Sequence, residues 1–125
     1  MINGFEHITR DLSDKEKKAA ETIAKHLRDK VGQNKAVTST RIISGMNKAY
    51  PGLHLSGARL RKIINYIRVK GLCHNLVGSS KGYYVENNTR ELKKYVESLR
   101  QRAAAINAVA ESFFDQKVSQ GNLKF

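Results

Sequence analysis

The chain has 125 residues, enough for one domain of ordinary size. With 40% hydrophobic and 27% charged residues, it favours a modest globular core over wholesale disorder. A formal net charge of +12, from 23 Lys and Arg against 11 Asp and Glu, points to a polyanionic partner, nucleic acid ahead of an acidic membrane surface. The single cysteine, Cys73, excludes an intramolecular disulfide and any zinc site that needs two or four cysteines.

Residues 1–12 carry Ile2, Phe5, Ile8 and Leu12 without a clear period and read as an arm packing on the core. Ser13-Asp14-Lys15-Glu16 is a capping-box pattern, and Ala20, Ile23, Ala24, Leu27 and Val31 then recur at three- and four-residue steps. The first helix is therefore expected from Ser13 to a stop at Gly32. Thr38, Ser39 and Thr40 are N-cap candidates for a second helix, with Ile42, Ile43, Met46, Ala49 and Tyr50 as its buried stripe and Pro51-Gly52 as its end. Ser56 can cap a third helix, which Gly71 closes. Its Leu60, Ile63, Ile64 and Ile67 fall within about 100° of one another on the helical wheel.

The pattern then changes. Residues 72–77 and 82–86 read as two short strands, with Gly78-Ser79-Ser80-Lys81 as the loop of a hairpin. Tyr83 and Tyr84 face opposite sides of the second strand, one towards the core. From Asn88 or Thr89 a long helix follows to about residue 116, and residues 117–125 form a tail. In this helix Leu92, Leu99, Ile106 and Phe113 stand seven apart, with Tyr95, Val96, Ala103, Val109 and Ala110 beside them and Arg102 interrupting the second seam position. Such a stripe either folds back onto the domain or pairs with a second copy. The heptads favour a dimer through Leu92, Tyr95, Val96, Leu99, Ala103, Ile106, Val109 and Phe113, because a lone helix would expose a sticky surface.

Charge location is more informative than its total. Between Asp29 and Glu86 there is no acid, whereas an even spread would place about five in that span. The same stretch holds Lys30, Lys35, Arg41, Lys48, Arg59, Arg61, Lys62, Arg68, Lys70 and Lys81, so +10 of the +12 lies in residues 30–85. A solvated surface ordinarily mixes signs to avoid self-repulsion; an anion-binding face does not.

Three helices followed by a hairpin over residues 13–86 make the order of the winged helix-turn-helix superfamily, which the chain resembles. The stretch Leu55-Ser56-Gly57-Ala58-Arg59-Leu60-Arg61-Lys62-Ile63-Ile64-Asn65-Tyr66-Ile67-Arg68, with Lys70-Gly71-Leu72 and residues 79–85, is also similar to small phage or prophage proteins of this type. The expected fold is mainly α (α+β): an arm over 1–12, a winged-helix domain over 13–87 and a C-terminal helix over 88–116. The resemblance implies double-stranded DNA as partner, a recognition helix over 56–70 and a wing over 72–86. The side of the third helix opposite its apolar four carries Ala58, Lys62 and Asn65, flanked by Arg59, Arg61, Tyr66 and Arg68. Arg and Lys suit phosphates or guanine acceptors, Asn suits adenine, and Ser56 at a helix start suits a phosphate. Thr40 and Arg41 at the start of the second helix, and Ser79, Ser80 and Lys81 at the wing tip, are the expected backbone contacts.

Catalytic patterns are missing. Cys73-His74 sit next to each other on an expected strand, hence on opposite faces, and no histidine pair has i, i+4 spacing. No carboxylate cluster, GxGxxG or GxxxxGK motif occurs. The expectation is a binding protein with no enzyme activity, metal or cofactor, acting as a transcriptional regulator or as a replication- or recombination-site binder. A winged-helix adaptor for a protein partner and an RNA binder are the alternatives. No stretch approaches the roughly 18 apolar residues of a membrane span and no signal-peptide core opens the chain, so a soluble protein of the cytoplasm, nucleoid or host cell is expected.

Overall fold

The computed structural model describes residues 11–116, so Ile2, Phe5 and Ile8 of the arm and the tail over 117–125 lie outside the described residues. These residues form a mainly helical protein with one two-stranded antiparallel sheet, in two compact units that divide between Asn88 and Thr89.

The first unit opens with helix α1, Asp14–Leu27. Its capping box is formed in both directions: the Ser13 hydroxyl accepts from the Glu16 N–H at 3.2 Å, and the Ser13 N–H donates to Glu16 Oε1 at 3.0 Å. The buried face is Ala19, Ala20, Ile23, Ala24 and Leu27, joined by Leu12 of the arm. The helix ends at Leu27, four residues before the expected last apolar position. Val31 is off the helix and 42% exposed, because the chain there turns to lie beside the sheet. Gly32 is accordingly no helix stop. Its φ of +90° lets the backbone leave a bridge to Val85 and enter a 3-10 turn at Gln33–Lys35.

Helix α2, Ser39–Ala49, is capped by Thr38, whose hydroxyl accepts from the Arg41 N–H at 3.2 Å. Its buried stripe is narrower than the sequence suggests. Ile42 and Met46 are buried and Ile43 is half-buried, but Ala49 and Tyr50 are exposed, since they belong to the end of the helix beyond its contact with the core. The link to the next helix is clamped by Asn47, whose Oδ1 accepts from the Leu55 N–H at 2.7 Å and whose Nδ2 donates to the Leu55 carbonyl at 3.0 Å.

Helix α3, Gly57–Lys70, is capped by the Ser56 hydroxyl on the Arg59 N–H at 3.2 Å. Leu60, Ile63, Ile64 and Ile67 are its buried residues and the largest fully buried side chains of the core, as the wheel requires. At its end Gly71 takes φ +70°, and the Gly71 and Leu72 N–H groups donate to the Arg68 and Ile67 carbonyls, a Schellman closure.

The hairpin starts later than expected. Strand β1 is Leu76–Ser79, strand β2 is Gly82–Val85, and Ser80-Lys81 alone connect them. Residues 72–75 cannot extend β1, because the Schellman closure holds Leu72 and Asn75 adopts φ +59°. Cys73 and His74 therefore lie in a turn and not on a strand, with Cys73 buried and His74 exposed. The register pairs Leu76 with Val85 and Ser79 with Gly82. Tyr83 packs on the core.

A third segment joins this sheet, and sequence periodicity gave no sign of it. Val37 exchanges both backbone hydrogen bonds with Tyr83 at 2.9 Å. Val85 donates to the Lys30 carbonyl at 2.8 Å and accepts from the Gly32 N–H at 2.9 Å. The α1–α2 connection thus runs along β2. Gly82 makes the approach to Val37 possible: with φ +120°, a Cβ there would lie 2.4 Å from the Val37 carbonyl oxygen.

The second unit is helix α4, Thr89–Gln116, within which no residue is buried.

Three substitutions separate these causes in chemical denaturation. Ile64→Ala is expected to cost about 2–5 kcal/mol as a core truncation. Gly82→Ala is expected to cost at least about 1–3 kcal/mol through backbone strain. Gly45→Ala, in open space on α2, is expected to be neutral or stabilising by about 1 kcal/mol.

Candidate nucleic-acid interface

Burial of four residues on one side of α3 dictates what the other side presents. Ala58, Arg61, Lys62 and Asn65 follow i, i+3, i+4, i+7 spacing and are all exposed, forming one continuous stripe. Among the described residues the Arg61 side chain makes no hydrogen bond or ion pair. Lys62 reaches the Asp11 carboxylate yet keeps 47% of its side chain exposed.

Two of the expected contact arginines are built into the fold instead. Arg59 donates from Nε to Glu16 Oε2 at 2.7 Å and from Nη2 to Glu16 Oε1 at 2.5 Å. It also reaches the Asp11 backbone carbonyl at 2.7 Å, with the Asp11 carboxylate 3.5 Å from Nη1. This fork ties α3 to α1 and the arm. It holds the Glu16 carboxyl down at about 2, chiefly through the Arg59 hydrogen bonds, with burial opposing and the Ser13 N–H assisting. The Arg59 guanidinium is raised in turn, first by its hydrogen bond to Glu16. Arg68 donates from Nε to the Leu76 carbonyl at 2.9 Å and from Nη1 to Asn65 Oδ1 at 3.3 Å, linking the last turns of α3 to β1. That bond orients the Asn65 amide and leaves its Nδ2 donors for another partner. Tyr66 is half-buried under Lys70, whose ammonium lies 6.0 Å from the ring centroid.

At the hairpin, Ser80 and Lys81 are exposed, and the Ser79 hydroxyl accepts from the Lys81 N–H at 3.1 Å, fixing the turn. Gln33 Nε2 stands 3.5 Å from the Ser79 hydroxyl, so the 3-10 turn is a neighbour of the tip. Thr40 and Arg41 are exposed in the first turn of α2, and the hydroxyl of Ser56 is spent on its own helix cap. The Gln33–Ser79 approach and the Arg59 and Arg68 tethers leave almost no mark on the sequence. Only Glu16 hinted at one of them, since a carboxylate with two oxygens can serve both a cap and a guanidinium.

No group of His, Cys, Asp and Glu among the described residues could hold a metal ion. Burial pushes the Cys73 thiol up, away from the reactive thiolate. A groove of about 690 Å³ between α1 and the end of α2 is lined by Lys15, Lys18, Tyr50 and Leu53 and contains none of the candidate contact residues. Among the described residues no helix is long and apolar enough to cross a membrane.

The Glu16–Arg59 fork sets a pH dependence. Because the folded-state carboxyl is depressed from 4.5 to about 2, its contribution is complete above the unfolded value and is lost as pH falls through that window. Glu16→Gln, which preserves the capping box, is expected to lower the melting temperature at neutral pH. The gap from the parent should close as pH drops from about 4.5 towards 2; thermal melts in a pH series measure it.

Comparison with known proteins returned no matching family model, no matching curated protein and no matching solved structure.

Proposed function

We propose that residues 11–88 are a winged helix-turn-helix domain that binds double-stranded DNA, with α3 in the major groove and the β1–β2 hairpin as the wing on the adjoining backbone. The observation that carries this reading is the exposed Ala58-Arg61-Lys62-Asn65 stripe, set in a span from Lys30 to Val85 that contains no acid. The sheet contact of the α1–α2 connection with β2, and the tether from Arg68 to β1, support a hairpin held in fixed relation to α3.

In this reading Arg61 and Lys62 take phosphates or guanine acceptors, and Asn65 reads a base edge with an amide already oriented by Arg68. Ala58 lets the start of α3 approach the groove. Lys81 and Ser80 at the wing tip, and Thr40 and Arg41 at the start of α2, meet the backbone. Arg59 and Arg68 act as positioning residues. A phage-type regulator of transcription, or a binder of replication or recombination sites, is the role that suits such a domain, with no cofactor required.

Fluorescence anisotropy with random duplex DNA, single-stranded DNA and duplex RNA at several salt concentrations tests the reading. The expected result is a preference for duplex DNA. For six to ten phosphate contacts, affinity should fall roughly 10³–10⁵-fold between about 50 and 200 mM salt. Arg61→Ala and Lys62→Ala should each weaken binding, flatten the salt slope by about one where a phosphate is lost, and leave the melting temperature nearly unchanged. Weak binding to all three probes, or intact binding by both variants, overturns it. Preference for the RNA duplex transfers the face to RNA recognition.

A further inference from the structure

Helix α4 is long, unburied and apolar along one side, with Ile106, Val109, Phe113 and Phe114 each at least 60% exposed. Two independent features of its sequence select what covers that side. The first is volume. When Leu92, Leu99, Ile106 and Phe113 form one seam of a heptad, the other seam is Val96, Ala103 and Ala110, and Arg102 stands beside it. A parallel pair would stack Ala on Ala and Phe on Phe, alternating voids with overfilled layers. An antiparallel pair centred between Ala104 and Ala105 sets Val96 against Phe113, Leu99 against Ala110, and Ala103 against Ile106, a smaller and a larger residue in each of these layers.

The second feature is charge. The N-terminal half of α4 holds Arg90, Lys93, Lys94, Arg100 and Arg102 against Glu91 and Glu97; the C-terminal half holds Glu111 and Asp115 and no base. These charges add to the helix macrodipole, making one end strongly positive and the other negative. Parallel packing brings like ends together, whereas antiparallel packing sets each positive end beside a negative one. In the antiparallel register the flanking positions place Arg100 opposite Asn107 and Arg102 opposite Val109, so no two cations face each other.

The geometry points to a second copy of this chain as the occupant, bound through α4 in antiparallel orientation. The two chains then enter the pair from opposite ends, with the Asn88–Thr89 junctions about 47 Å apart along the axis at 1.5 Å per residue. A dimer of this kind carries two copies of the first unit. The inference stands whether or not that unit binds DNA, and its test contains no nucleic acid.

Sedimentation equilibrium of the full chain, of Ala103→Leu and of the paired Val96→Cys and Phe113→Cys variants decides it. The parent is expected to be dimeric, and added salt should weaken the dimer. Ala103→Leu, at an exposed helical position, should weaken association about tenfold, because leucine overfills a layer that already contains Ile106. Under mild oxidation, Val96→Cys mixed with Phe113→Cys should give a disulfide-linked heterodimer. Neither variant should cross-link with itself, since like positions are about 26 Å apart. The unsubstituted chain, whose only cysteine is buried, is the control. A parent that stays monomeric well above micromolar concentration overturns the inference. So does self-cross-linking of Val96→Cys, or a tighter dimer with Ala103→Leu, either of which signals a parallel pair.

Discussion

Burial of Leu60, Ile63, Ile64 and Ile67 is the constraint on which the first unit depends. Each such side chain contributes about 1.5–3 kcal/mol when removed from water, and all four sit on one side of a single helix. Once that side faces α1 and α2, the rotation of α3 about its axis is fixed, and with it the identity of every outward residue. The exposed Ala58-Arg61-Lys62-Asn65 stripe is thus a consequence of the core. The caps at Ser56 and Gly71 fix where the stripe begins and ends.

Around that helix the cations divide by role, and the division is set by distance to a carboxylate or carbonyl. Glu16 and Asp11 lie in the charge-balanced N-terminal stretch, but folding brings them to the first turns of α3. There Arg59 becomes a strut between α3, α1 and the arm. Arg68 does the equivalent work towards β1 by donating to the Leu76 carbonyl. The net positive field left on the outer side therefore rests on fewer residues than the sequence count implies, with Arg61, Lys62 and Lys81 foremost. The Arg68 tether also joins the end of α3 to the hairpin through β1.

Helix α4 shows the complementary situation: an amphipathic element none of whose residues is buried among the described residues. Its alternation of small and large seam residues, and its segregation of bases from acids along the axis, are both antisymmetric end to end. A helix with that property matches a reversed copy of itself better than a parallel one, because packing density and electrostatics then agree.

The sequence by itself determined that four helices form, the caps at Ser13, Ser56 and Gly71, the buried face of α3 and the acid-free span, because periodicity, capping chemistry and charge spacing are local and survive without a tertiary frame. The capping box at Ser13 and the Gly71 closure are legible from a few residues each. Tertiary structure decided the rest, since those features depend on partners distant in the chain. Val31 follows the sheet and not α1, because Val85, 54 residues later, offers it a backbone partner. Residues 72–75 form a turn because the α3 closure and the positive φ of Asn75 consume them before pairing can begin. Gly82 serves the approach of Val37, which no local pattern announces. Arg59 and Arg61, two residues apart and alike in composition, differ because one points to Glu16 and the other to solvent. Side-chain identity is written in the sequence; which carboxylate or carbonyl it meets is settled only when the helices pack.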